Sequence, residues 1–285
     1  MSLYFTLPRF VWTHPGNRGR RLRAIGRLVA WQVWERTTGR SWTITLAGRR
    51  KLRCEPHGTS ASGILYCGLP DWAEMNLVLD YLRPGDIFID VGANVGVYSL
   101  LASITPDVVV HAFEPSSTTS MRTKANVALN GLEFRIKVVQ AALGASRGSA
   151  LLTVGLDAVN RVVREGESTS VEVVPVETLD EYLHDDDRTR VRMMKIDVEG
   201  HELEVLHGAR NLISDTLPVL IVEANDLAGL KSWLSPFGYQ PFTYAPDSRT
   251  LSRTAWRTTQ TGNIVFLADL DRAAERIVCS QSADK

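Results

Sequence analysis

The stretch Gly85-Asp-Ile-Phe-Ile-Asp-Val-Gly-Ala-Asn-Val-Gly96 decides the fold. Ile87 to Val91 reads as a buried strand, and it runs directly into a glycine-spaced turn and an apolar helix start. Gly92 and Gly96 can take backbone angles closed to other residues, and they leave the backbone open to a ligand. Asp90 places a fixed negative charge at the strand's end. That charge suits a cationic or hydroxyl-rich ligand better than a phosphate. A dinucleotide fingerprint would read G-x-G-x-x-G. Here Asn94 stands at the middle glycine and no third glycine follows, so close approach of a pyrophosphate is disfavoured.

Working outward, strands and helices alternate. Helices are expected over 72–82, 95–103, 117–129, 176–183, 201–206 and 226–234. Strands are expected over 86–91, 108–114, 134–141, 193–198 and 219–224, with further β stretches at 148–154 and 171–176. Two closing strands follow at 238–244 and 263–267. Such alternation indicates an α/β fold, a mainly parallel sheet with helices on both faces and antiparallel strands closing the C-terminal side. Ligands in these sheets bind at the carboxyl ends of strands, near the point where strand order reverses. Asp90, Glu114 and Asp197 all fall at strand ends, so all three should line one crevice.

Glu114 ends the second strand, 24 residues after Asp90. An acid there can accept both hydroxyls of a ribose, and Pro115 stiffens the turn that follows. The segment Lys195-Ile-Asp-Val-Glu-Gly-His-Glu202 adds Asp197, Glu199 and His201 after another buried strand. Asp197 could anchor an amino group or a reacting hydroxyl. His201 is the natural proton acceptor at neutral pH, with Asp197 or Glu199 orienting it or the acceptor. The spacing could also hold a divalent metal, although a metal is not the favoured reading. Glu223 and Asn160 are further candidates for the acceptor pocket. His111 reads as a core histidine, and His207 as a cation at a helix C-terminus.

The turn at 90–96, His-Ala-Phe-Glu-Pro at 111–115, the segment 195–202 and Val-Leu-His-Gly-Ala at 205–209 together resemble the FkbM family. The resemblance covers about residues 70–270. It implies a Rossmann-like methyltransferase dependent on S-adenosylmethionine, mainly for O-methylation in natural-product, sugar and cell-surface pathways. By this resemblance Asp90, Gly92, Asn94 and Gly96 surround the methionine part of the cofactor. Glu114 and Pro115 lie at the ribose, Ala141 and Ala142 near adenine, and Asp197 at the same pocket. The expected acceptor is a small molecule, a sugar or a lipid-linked sugar. A non-catalytic S-adenosylmethionine-binding scaffold and a nucleic-acid methyltransferase are the competing readings. The sequence has no Asn-Pro-Pro-Tyr or Asp-Pro-Pro-Tyr segment of the kind that serves base-amine methylation.

Composition bounds the rest. The chain has 285 residues, 44% hydrophobic and 22% charged, with zero net charge. These values are ordinary for a globular protein. Residues 1–53 hold twelve Arg and Lys against Glu35 alone, so about +11, and the remainder carries about −11. The expected layout is therefore a basic accessory arm over 1–69, a methyltransferase domain over 70–270 and a tail over 271–285. In the arm an amphipathic helix is expected from Ile25 to Trp34, and a hairpin from Trp42 to Cys54. The arm could pack on the acidic remainder, associate with a second subunit, or lie on an anionic membrane with Trp31 and Trp34 inserted. No apolar run reaches the roughly 20 residues of a membrane span, and no signal peptide is apparent. Cys54, Cys67 and Cys279 are too few for a disulfide framework and lack metal-type spacing. The expected location is cytoplasmic, at most peripheral at the inner face of a membrane.

Overall fold

The structure is a computed structural model that describes residues 3–56, 58–153, 171–256 and 262–279. Asn160 lies outside the described residues. Five parallel strands form the centre: β3 (Ile87–Val91), β4 (Val109–Phe113), β5 (Ile136–Val139), β9 (Val191–Ile196) and β10 (Val219–Glu223). They lie in the order β5-β4-β3-β9-β10. The order reverses between β3 and β9, which makes their carboxyl ends the switch point. On the β10 side the antiparallel β13 (Asn263–Leu267) and then β11 (Gln240–Ala245) and β12 (Thr250–Arg253) complete eight strands. A separate three-stranded sheet joins β6 (Ala142–Leu143), β7 (Gly148–Thr153) and β8 (Val171–Glu177) in the order β6-β8-β7.

Strands β3, β4, β9 and β10 are buried along most of their length, as a sheet covered on both faces requires, while β5 at the edge exposes Lys137. Side chains alternate between two cores. Phe88, Val110, Met193 and Ile221 face one core; Ile87, Ile89, Met194, Ile196, Leu220 and Val222 face the other. The first core is closed by α4 (Trp72–Tyr81), α5 (Val97–Ala102) and α12 (Leu270–Cys279). The second is closed by α9 (Glu202–His207), α10 (Arg210–Thr216) and α11 (Leu227–Leu234). Between β4 and β5 runs α6 (Ser117–Leu129). Ser116 caps it by accepting the Thr119 N–H, and Asn130 with Gly131 ends it.

The N-terminal segment is built on the same core. It comprises α1 (Leu3–Thr13), α2 (Arg21–Thr38), the hairpin β1 (Trp42–Thr45) and β2 (Lys51–Cys54), and α3 (Thr59–Cys67). Val11, Leu28, Trp31, Leu52 and Ile64 join the buried cluster that underlies β3 and β4. Trp31 is 1% exposed, so it is a core residue and not available for insertion into a membrane. The hairpin is stitched to α6 through Asn126 and Asn130, which accept the Arg53 and Lys51 backbone N–H groups. At the other end α12 packs on α4, with Ala273 and Ile277 buried and Arg276 paired to Asp86. Cys54 and Cys67 are buried free thiols, pushed up to about 12 and about 11 by burial, as inert structural residues are.

Candidate functional site

The switch point opens into a cleft of about 350 Å³. Gly92 and Asn94 from the turn after β3 line it, together with Asp197 and Glu199 after β9 and Glu223 at the end of β10. Pro70, Asp71 and Met75 form its outer wall. Among the described residues that line it, the carboxylates of Asp71, Asp90, Asp197, Glu199 and Glu223 face the ammonium of Lys195.

At the floor, Asp90 and Lys195 stand opposite each other on neighbouring strands. Asp90 is 1% exposed, and its Oδ2 accepts the Ser99 hydroxyl at 2.5 Å. Its Oδ1 has no hydrogen-bond partner among the described residues. Burial raises the Asp90 carboxyl above its usual range, and nearby Lys195 opposes that shift. Lys195 Nζ donates to Asp197 Oδ2 at 2.6 Å and lies 4.8 Å from the centre of the Tyr98 ring. Burial would lower its pKa, but Asp197 and Asp90 hold it above the usual value. Lys195 in turn keeps Asp197 below the carboxylate range against the effect of burial. The Tyr98 hydroxyl donates to Asp71 at 2.8 Å, which ties the outer wall to the floor.

Asp197 and Glu223 bring carboxylate oxygens within 4.8 Å of each other. Burial, then the charge of Asp197, pushes Glu223 up to about 7. Asn225 Nδ2 holds Glu223 Oε2 at 2.7 Å and buried Glu202 at 3.1 Å, and Glu202 accepts the Gly200 N–H. The exits of β9 and β10 are thereby locked together. Asp197, Glu199 and Glu223 offer carboxylate oxygens all within 4.8 Å of one another, a set that could also hold a divalent cation.

The turn is clamped rather than loose. Gly92 has φ 74° and Gly96 φ 82°. Asn94, at φ 50°, donates its N–H to Glu114 Oε2 at 2.9 Å. Glu114 Oε1 accepts the Ser116 N–H at 3.0 Å. Burial pushes this carboxyl up to about 7 despite both bonds. A Cβ on Gly92 would sit 1.9 Å from the Asp197 carbonyl oxygen, and one on Gly96 would sit 2.9 Å from Thr123. On its Cβ side Gly92 is met by the chain itself, and the residue also lines the cleft.

Asp90, Gly92, Asn94, Asp197, Glu199 and Glu223 come together as the sequence indicates. Glu114 sits just behind Asn94 and does not line the cleft, and Gly96 faces Thr123. Pro115 follows Glu114, while Ala141 and Ala142 are buried beyond the end of β5. His201 is not among the residues lining the cleft; it precedes α9, with its Nε2 beside Gly144, 3.7 Å from where a Cβ there would lie. His207 lies in the last turn of α9, and its Nδ1 accepts the Trp233 indole N–H at 3.2 Å. His111 is buried in β4 with Nδ1 3.2 Å from the Tyr182 hydroxyl. Lys195, Tyr98 and Asp71 have no role assigned from sequence. The register of the two motif strands, which sets Asp90 against Lys195, is the signal that points to the first.

Residues 90–241 match the family described as the methyltransferase FkbM domain, which is more than half of the chain. The chain belongs to the FkbM methyltransferase family. It is 28% identical over 178 residues to the 31-O-demethyl-FK506 methyltransferase FkbM of Streptomyces tacrolimicus, a match covering 52% of this chain and 68% of that protein. It is 27% identical over 152 residues to the hexuronic acid methyltransferase AglP of Haloferax volcanii, covering 52% of this chain and 59% of that protein. A solved methyltransferase FkbM from Methylobacillus flagellatus KT aligns over 86% of this chain and 60% of its own, at 19% identity and a TM-score of 0.44. The cleft residues from Asp90 to Glu223 fall inside the matched segment, and the wall of Pro70, Asp71 and Met75 precedes it.

Proposed function

We propose that this FkbM-family chain transfers a methyl group from S-adenosylmethionine to a hydroxyl of a sugar, glycolipid or natural-product acceptor. The observation that carries the reading is the acidic cleft at the switch point, with the buried, half-satisfied Asp90 at its floor. Bound there, S-adenosylmethionine supplies an activated methyl on a sulfonium. Its positive groups fit an anionic lining, and Asp90 Oδ1 is a buried acceptor in need of a donor. Glu114 acts behind this lining: its two oxygens take the Asn94 and Ser116 backbone N–H groups and so hold the turn that carries Asn94 into the cleft.

The protein's own work is alignment, exclusion of water and removal of a proton. An aliphatic hydroxyl is a poor nucleophile until its proton begins to leave, and a positioned base is typically worth about 10²–10⁴-fold. Glu223 is the base in this reading. It lines the cleft, and its pKa of about 7 matches the working pH. Asn225, which donates to Glu223 Oε2 at 2.7 Å, orients it. His201, turned toward Gly144, is the alternative that the sequence favours. The names of the relatives support oxygen as the methylated atom, one acting on an O-demethyl natural product and one on a hexuronic acid.

The test is transfer of an isotopically labelled methyl from S-adenosylmethionine to a panel of hexuronic acids, glycolipids and hydroxylated macrolides, with the site located by mass spectrometry. Label on an acceptor oxygen supports the proposal. Label on nitrogen or carbon, or in nucleic acid offered alongside, contradicts it.

A further inference from the structure

Helix α2 carries apolar residues on two opposite sides. Ala24, Leu28 and Trp31 are buried in the core, while Leu22, Val29 and Val33 stand in water, Leu22 being 79% exposed. Residues three, four and seven apart share a side of a helix. Leu22, Gly26, Val29 and Val33 therefore form one stripe, on the side away from Trp31. The neighbouring α1 adds exposed Phe10 and Trp12. A groove of about 530 Å³ runs between the two helices, lined by Leu7, Pro8, Leu28, Val29, Val33 and Arg36. A helix on the surface of a soluble protein ordinarily turns a polar face outward, so this stripe calls for a partner.

The charges around it say which partner. Arg20, Arg21, Arg23, Arg27 and Arg36 are exposed along the same helix. Among the described residues none of them pairs with a carboxylate. Arg27 reaches the Leu65 carbonyl, Arg36 the Gln32 side chain, and Arg21 lies 5.7 Å from the centre of the Trp12 ring. The turns of the helix put Arg21 and Arg36 on one flank of the stripe and Arg23 and Arg27 on the other. An apolar stripe between two rows of arginine matches the boundary between acyl chains and anionic head groups. A second copy would bring one strongly positive surface against another. A nucleic acid would use the arginines but leave the aliphatic stripe without a role. No helix among the described residues is long and apolar enough to cross a membrane, so the fit is to the surface.

We propose that the α1–α2 face docks on the surface of an anionic lipid bilayer, with Leu22, Val29 and Val33 at the acyl boundary and Arg20, Arg21, Arg23, Arg27 and Arg36 at the phosphates. The contact is peripheral and reversible. Pro70, whose carbonyl lies 3.0 Å from His14 Nε2, ties this module to the wall of the methyl-transfer cleft. A docked enzyme would thus keep its acceptor site near lipid-anchored molecules.

The test is sedimentation of the full chain with phosphatidylcholine vesicles, with and without phosphatidylglycerol. Binding is expected with phosphatidylglycerol and not without it, and it should weaken as salt rises. Replacing Arg20, Arg21, Arg23 and Arg27 with Gln should reduce binding at least about 100-fold, since each basic residue near such a surface is worth roughly fivefold. The pair Val29→Ser and Val33→Ser should reduce it about tenfold or more through lost apolar burial. All six positions are exposed and outside the cleft, so circular dichroism of each variant should be unchanged. Absence of binding to phosphatidylglycerol vesicles overturns the proposal. Full binding by the Val29/Val33 pair also overturns it, marking the arm as a simple polycation. A dimer in sedimentation equilibrium that the same pair dissolves overturns it too, because a second copy would then cover the stripe.

Discussion

The Asp197 carbonyl oxygen lies 1.9 Å from the place a Cβ on Gly92 would occupy, so the exits of β3 and β9 touch through bare backbone. This contact brings Asp90 and Asp197 to one cleft. Gly92→Ala adds a backbone clash to an unfavourable φ of 74°. The expected loss is about 2–4 kcal/mol, read as a lower urea midpoint. Gly131 has φ 63° with nothing within 4 Å of its missing Cβ, so Gly131→Ala should lose only about 1 kcal/mol.

Removing the ammonium beneath the cleft should be more damaging than its size suggests. Lys195→Met leaves Asp90 and Asp197 close together with no countercharge in a largely buried site. Breaking such a pair costs about 3–5 kcal/mol, and the partial exposure of Asp197 points to the lower end. Asp90 then holds its proton more firmly in the folded chain than in the unfolded one. The loss should therefore be larger at pH 8 than at pH 5, as thermal unfolding at the two values would show.

Glu114 gives a pH signature of its own. Its folded pKa of about 7 stands above its ordinary 4.5 because of burial. Between these values the folded chain keeps a proton that the unfolded chain has released. Stability from this group is thus present below about pH 4.5 and lost as pH rises to about 7, by at most about 3 kcal/mol. Unfolding curves at pH 5 and pH 8 should show a smaller difference in Glu114→Gln than in the parent chain. Comparison with that variant separates Glu114 from Glu223, which is shifted in the same direction.

The kinetic counterpart concerns Glu223. Turnover should rise with pH to a plateau, with an apparent pKa near 7 that belongs to the Asp197–Glu223 pair. Glu223→Gln should flatten that limb and lower kcat by about 10²–10⁴-fold. His201→Ala should keep most of the activity. The opposite ranking of the two variants would return the role of base to His201.

Much of this site is legible in the sequence, and the limits are physical. The alternating apolar runs around Ile87, Val110 and Leu220 can be satisfied only by a sheet buried on both faces, so the polar groups closing those runs had to meet at one edge. That reasoning brings Asp90, Asp197 and Glu223 to the cleft, while Glu114, which closes the Val110 run, lies behind Asn94 and does not line it. It does not reach α1, which carries Pro8 inside the helix, nor α3, which packs against α2. The direction of a side chain in a turn is equally hidden. His201 and Glu199 are two residues apart, yet Glu199 lines the cleft and His201 turns toward Gly144. Trp31 and Trp34 look equivalent in sequence, but only tertiary packing decides that Trp31 is core and Trp34 is exposed.

The central claim is that the cleft between the ends of β3 and β9 holds S-adenosylmethionine. Isothermal titration calorimetry of the full chain with S-adenosylmethionine tests it most directly. The account predicts one ligand per chain, and at least about tenfold weaker binding in Asp197→Asn, which loses a charged hydrogen-bond acceptor that lines the cleft. Absence of binding heat, or unchanged affinity in that variant with the fold intact, would contradict it.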